Sequence, residues 1–240
     1  MDALTFGRLR HFDRPDQWLL LLSIASSAAY MATRAVQPFP GSVVLKALSM
    51  APLAVLVFRV LSKAERARDA RILAVALALS CFGDVFLHLD ARRYFAHALG
   101  AFLLAHVAYI LLFTRNWPRP LRPSVGQVIL AGLVLVYGLL VCAWLWTGLG
   151  RFLVPALAYA CAIMAMTVST ILAGFSRPFV SIGALLFLIS DSLIAAGRFR
   201  MWMPLAALLI WPTYYLGQYG IAIGFLREKA AVARSPAFSD

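Results

Sequence analysis

Charge is scarce in this chain, and negative charge scarcest: 13% of its 240 residues are Asp, Glu, Lys or Arg, and only ten are acidic. Charged residues make up about a quarter of an ordinary soluble domain, so that class is excluded. Cysteine is nearly absent as well. Cys81, Cys142 and Cys161 form no C-x-x-C pair and no Cys/His ligand spacing, which excludes a disulfide framework and a structural zinc site. We read all three as small buried hydrophobes. No stretch between the apolar runs is polar or long enough to separate two domains, leaving one domain over residues 1–240. The ten-residue alternation of a membrane β-barrel is missing too.

What fills the chain is apolar. Hydrophobic residues make up 62% of it and the mean hydropathy is +0.84. Runs of about 20 apolar residues match helices crossing a hydrocarbon core about 30 Å thick. The sequence therefore predicts an all-α integral membrane bundle of eight transmembrane helices, at roughly 18–36, 42–61, 71–89, 95–114, 124–147, 152–173, 179–197 and 203–226, with boundaries soft by a few residues. The segment from Leu19 to Ala29 after Arg8, Arg10 and Arg14 loosely resembles a signal peptide, and we read it as a retained first span.

The net charge of +12 could suggest nucleic acid, yet the basic residues sit in the loops, and no nucleic-acid partner is expected. With the N-terminus in the cytoplasm, fifteen Lys and Arg fall on that side: Arg8, Arg10 and Arg14; Arg59, Lys63, Arg66, Arg68 and Arg71; Arg115, Arg119 and Arg122; Arg177; Arg227, Lys229 and Arg234. Six fall on the other, and Lys46 lies within a span. By the positive-inside rule both termini are cytoplasmic. The compact loops and Arg-rich composition favour a bacterial inner membrane.

A few ionisable side chains lie inside the apolar spans, where each costs about 2.5–3.5 kcal/mol on insertion scales and so calls for a reason. Ser80, Asp84 and His88 are spaced i, i+4, i+8 and share a helix face. Asp191, flanked by Ser190 and Ser192, is the second intramembrane acid. Lys46 either snorkels to the outer interface or serves as counter-ion to a carboxylate or contact for an anionic head group. Asp84 is either a structural partner of Lys46 or a functional acid. His106, with Phe102 and Tyr109 on its face, is either a satisfied core histidine or a partner and proton carrier for an aspartate. His88 and His97 read as interfacial. Tyr214, Tyr215 and Gln218 form a polar stripe that is either interhelical glue or a site wall. Asp84 and Asp191 each fall roughly 8–9 Å from the outer end of their spans at 1.5 Å per residue, with Lys46, His106 and the tyrosines close to that layer. The segments FGDVFL and ISDSLI suggest a weak parallel repeat of two four-helix halves.

These residues resemble the YhhN-type lysoplasmalogenase family of polytopic membrane hydrolases. The resemblance rests on KALSMAPL (Lys46 to Leu53), LSCFGDVFL (Leu79 to Leu87), F-x6-FLLAHVAY (Phe95 to Tyr109), GALLFLISDSLIA (Gly183 to Ala195) and YY-x2-Q (Tyr214 to Gln218). Ala98 stands where the family's glycine is expected. The resemblance implies eight transmembrane helices and hydrolysis of the vinyl-ether bond of a lysoplasmalogen, giving a fatty aldehyde and a glycerophospho-ethanolamine or -choline. It places the two acidic positions at Asp84 and Asp191.

Vinyl-ether cleavage needs an acid to protonate the β-carbon and a base to activate water, roles that two carboxylates in different environments can divide. Asp84 and Asp191 are the expected catalytic pair. Lys46 would bind phosphate or tune Asp84, next to Ser80; His106 and Tyr109 would orient a carboxyl or water; Tyr214, Tyr215 and Gln218 would line a head-group pocket. The expected partners are a lysophospholipid substrate and membrane lipid. No cofactor or metal is called for, as no metal-ligand motif is present. A proton-coupled lipid or solute transporter would use the same acids as protonation sites, and a non-catalytic scaffold would use them for packing alone.

Overall fold

The computed structural model describes residues 13–62, 67–201 and 204–232. Eight α-helices and no strand occur among them. They are α1 (Arg14–Ala32), α2 (Ser42–Ser62), α3 (Ala67–Asp90), α4 (Phe95–Thr114), α5 (Val125–Leu145), α6 (Leu153–Leu172), α7 (Phe179–Phe199) and α8 (Pro204–Val232). Six of them, α2 through α7 with the short turns flanking α5 and α6, are long and apolar enough to cross a membrane. Arg8, Arg10, Lys63, Arg66 and Arg234, which enter the charge count, lie outside the described residues.

The expected spans recur as helices, with shifts at their ends. α1 starts earlier than the apolar run because Pro15, free of a helical donor requirement at the first turn, seeds it. It stops at Ala32, and Arg34–Val36 forms a separate 3₁₀ turn. α3 begins at Ala67 and α8 runs on to Val232, since Arg, Glu and Lys are good helix formers and let polar turns extend an apolar helix. α5 opens with a capping box in which the Ser124 hydroxyl accepts from Gln127 N and the Gln127 side chain accepts from Ser124 N.

The chain divides into two compact units, the described residues up to Ala98 and those from Leu99 onward. In the first, α2 packs against both α1 and α3. The Ser23 hydroxyl donates to the Ser49 carbonyl at 2.6 Å, and Cys81 Sγ lies 3.6 Å from the Ala47 carbonyl. Arg59 Nε donates to Asp16 at 2.9 Å, closing the other end of the α1/α2 contact. Met50, Leu53, Leu56, Leu73 and Leu77 fill the interior.

In the second unit the tightest contact joins α7 and α8. Gly183 and Gly217 make it so close that a Cβ on Gly183 would fall 2.6 Å from the Gly217 carbonyl oxygen. Small residues let membrane helices approach in this way, because lipid offers no hydrophobic drive to bring them together. Pro212 interrupts the α8 ladder, and the carbonyls just before it take side-chain donors: Thr213 to Leu209 at 2.7 Å and Ser190 to Ile210 at 2.9 Å. α5 stands at the other extreme, its Val128, Ile129, Leu133, Val136, Leu139 and Leu140 exposed as a lipid-facing helix requires.

Cys161 departs from expectation. It is exposed on α6, and Cys81 and Cys142 are half-buried; a thiol is apolar enough to face hydrocarbon as readily as a core.

Candidate active site

The first unit holds the acid nearest the middle of an apolar helix among its described residues. Asp84 lies on α3 next to Gly83, and its carboxylate is 4% exposed. Lys46, one helix away on α2, brings Nζ to 3.3 Å from Asp84 Oδ1 with its own side chain only 10% exposed. The lysine therefore does not snorkel. Removing two charges from water costs several kcal/mol per ion, and only close pairing offsets that. The Lys46 ammonium also lies 5.8 Å from the centre of the Tyr30 ring, over its face. Ser80, one turn before Asp84, is fully buried, and its hydroxyl has no hydrogen-bond partner among the described residues.

His88 extends this cluster rather than sitting loose at an interface. Tyr30 Oη is 3.1 Å from its Nδ1 and Ser42 Oγ is 2.6 Å from its Nε2. The Ser42 hydroxyl proton goes to the Phe39 carbonyl at 2.6 Å, so Ser42 accepts from Nε2–H and leaves Nδ1 to accept from Tyr30. His97 is exposed, with its ring against Phe86 and Tyr94.

The second unit holds the other acid. Asp191 sits on α7 with a side chain 10% exposed. The Tyr159 hydroxyl on α6 donates to its Oδ2 at 2.5 Å, and His106 Nε2 on α4 approaches the same oxygen at 3.6 Å. His106 is fully buried, packed between the Tyr159 and Phe187 rings at centroid distances of 5.0 and 4.9 Å. Neither of its ring nitrogens makes a hydrogen bond among the described residues.

Tyr109, on α4, reaches across to α8. Its hydroxyl donates to Gln218 Oε1 at 2.5 Å, and Gln218 Nε2 lies 3.5 Å from the Tyr214 hydroxyl, all three side chains being buried. One helical turn separates His106 from Tyr109, enough to aim the two at different partners. Phe102, Phe187 and Tyr214 form an edge-to-face cluster, while Tyr215 stacks on Trp211 at 6.4 Å.

The structure thus brings Lys46 to Asp84 and His106 to Asp191, and ties Tyr109, Gln218 and Tyr214 into one chain. Sequence reasoning passed over Tyr159 and Tyr30. The available signal was general: a phenol within an apolar helix needs a partner for its hydroxyl. Nothing in the spacing says which partner that is.

Apolar helices of spanning length, with charged and aromatic polar side chains held inside them, define a polytopic α-helical integral membrane protein with buried polar sites. The chain belongs to the YhhN family, whose model matches residues 41–225. It is 36% identical over 176 residues to a protein named lysoplasmalogenase from Mycobacterium bovis, an alignment covering 70% of this chain and 66% of that relative. It is 29% identical over 167 residues to lysoplasmalogenase TMEM86A of Bos taurus, covering 66% of each. It is 32% identical over 158 residues to lysoplasmalogenase TMEM86B of Homo sapiens, covering 66% of this chain and 65% of that one. The chain thus spans just under two thirds of the length of these curated relatives. No solved structure matches it.

Proposed function

We propose that this protein hydrolyses the vinyl-ether bond of lysoplasmalogens within the membrane, releasing a fatty aldehyde and a glycerophospho-ethanolamine or -choline. The observation that carries the reading is that the two acids inside the apolar helices, Asp84 and Asp191, are each held by polar partners within the region matched to the YhhN family. Relatives named lysoplasmalogenase, aligned over 66% of their length, supply the substrate class.

Protonation of the vinyl-ether β-carbon creates an oxocarbenium cation at the adjacent carbon. Water adds there and gives up a proton. The resulting hemiacetal then loses its alkoxy group, which takes a proton and departs as the glycerophospho-alcohol, leaving the aldehyde. Asp84 and Asp191 divide the acid and base work, and an anionic carboxylate stabilises the cation. Lys46 holds Asp84 or contacts the substrate phosphate, with Ser80 beside it. His106 orients Asp191 or the attacking water. Tyr109, Gln218, Tyr214 and Tyr215 shape the head-group pocket. We further propose cytoplasmic termini, a weak parallel repeat relating the segments around Asp84 and Asp191, and residence in a bacterial inner membrane.

The test is aldehyde release from lysoplasmalogen by purified protein. Asp84→Asn and Asp191→Asn should each lower the rate by about 10²- to 10⁴-fold, the range for loss of general acid or base. Full activity in both folded variants overturns the mechanism; accumulation of unaltered substrate in proteoliposomes replaces it with transport.

A further inference from the structure

We infer that Tyr159 is a positioning residue for Asp191, fixing the carboxylate through Oδ2 so that Oδ1 is the oxygen presented to a substrate or water. This rests on the reading of Asp191 as a reacting carboxylate. Three observations carry it. The Tyr159 hydroxyl donates to Oδ2 at 2.5 Å, while His106 Nε2 stays at 3.6 Å from that atom, beyond a normal hydrogen bond. Tyr159 thus takes the place on Oδ2 that a histidine–carboxylate pair would otherwise use. Next, Oδ1 accepts no hydrogen bond among the described residues, so the two oxygens of one carboxylate are inequivalent. Finally, Tyr159 is itself held: its ring packs against His106 with centroids 5.0 Å apart, and His106 is wedged on its far side by Phe187 at 4.9 Å. A phenol packed against neighbouring rings has few rotamers to lose, which suits it to aim a carboxylate.

The arrangement also accounts for His106. With Oδ2 taken by Tyr159, the fully buried imidazole keeps an N–H for another acceptor. A buried donor left unmade is costly, so that N–H is directed at the group which enters beside Asp191, water or the substrate's ether oxygen. Tyr159 in this sense sets which of its two neighbours touches the reacting molecule.

The experiment pairs a spectroscopic with a kinetic readout on the full chain. The infrared carboxylate stretch of Asp191 is isolated by subtracting the spectrum of Asp191→Asn from that of the wild type, and again in a Tyr159→Phe background. Loss of the phenolic donor should move this band. With lysoplasmalogen, Tyr159→Phe should lower kcat about 10- to 100-fold, the loss of one hydrogen bond to a charged group, and leave KM within about twofold. Tyr137→Phe, on the exposed side of α5, should change neither. If Tyr159→Phe fails to fold, 3-fluorotyrosine at position 159 keeps the ring and donates more strongly, and should move the band the opposite way. An unmoved band, or a moved band with wild-type kcat, overturns the inference. The band is read without substrate: a moved band in a protein that releases no aldehyde retires the vinyl-ether reading and leaves Tyr159 as the residue that positions Asp191.

Discussion

Lys46 Nζ lies 3.3 Å from Asp84 Oδ1 where both side chains are at least nine-tenths buried. A pair so placed is costly to break from one side, because the remaining charge is left without its counter-ion. Lys46→Met should lower stability by about 3–5 kcal/mol, read as a fall in the midpoint of thermal unfolding in detergent. Adding Asp84→Asn to it should recover much of that loss. Strict additivity of the two substitutions would mean that the pair does not interact.

The α7/α8 contact makes a second, purely steric prediction. Gly183→Ala puts a methyl group 2.6 Å from the Gly217 carbonyl, where backbone on both sides leaves nothing flexible to move. Overpacking of this kind costs about 1–3 kcal/mol. Gly197→Ala, on the same helix with open space around its Cβ, should instead be neutral or stabilising by up to about 1 kcal/mol, the helix-propensity difference. Equal melting temperatures for the two variants would contradict the packing described.

Tyr109→Phe should destabilise by about 1–3 kcal/mol, since Gln218 Oε1 loses its phenolic donor in a fully buried position. Gln218→Leu in the Tyr109→Phe background should add less than Gln218→Leu does alone. A double-mutant cycle on unfolding midpoints measures that coupling, and a coupling of zero would rule the contact out.

Tyr30→Phe removes one hydrogen bond from His88 and should cost about 0.5–1.5 kcal/mol. In a His88→Leu background the same substitution should cost much less. Nitrogen-15 spectra of the imidazole should show Nε2 protonated and Nδ1 accepting; the opposite tautomer would mean that Ser42 donates to His88 rather than to Phe39.

The helices were legible in the sequence because the bilayer imposes a length and a polarity that one chain must satisfy locally. Apolar runs, proline- and glycine-marked turns and loop arginines delimit all eight, with shifts where Pro15 starts α1 early, where α1 ends at Ala32, and where polar helix formers carry α3 and α8 past the apolar run. The intramembrane acids were legible for the same reason: a carboxylate in hydrocarbon is conspicuous in one dimension. The Lys46–Asp84 contact was half legible, as one of two readings open to the lysine.

The partners of Asp191 were a different matter. His106 stands out as an ionisable group in an apolar span, whereas Tyr159 carries no such mark in the sequence. A phenol is apolar enough to cross a membrane unremarked, and its hydroxyl acquires meaning only from what faces it. Likewise Tyr109 shares a face with His106 and still turns to Gln218. Burial and spacing along a helix follow from the sequence; which donor meets which acceptor is settled between helices, by the close approach that Gly183 and Gly217 permit and by the packing of Tyr159 and His106 beside Asp191.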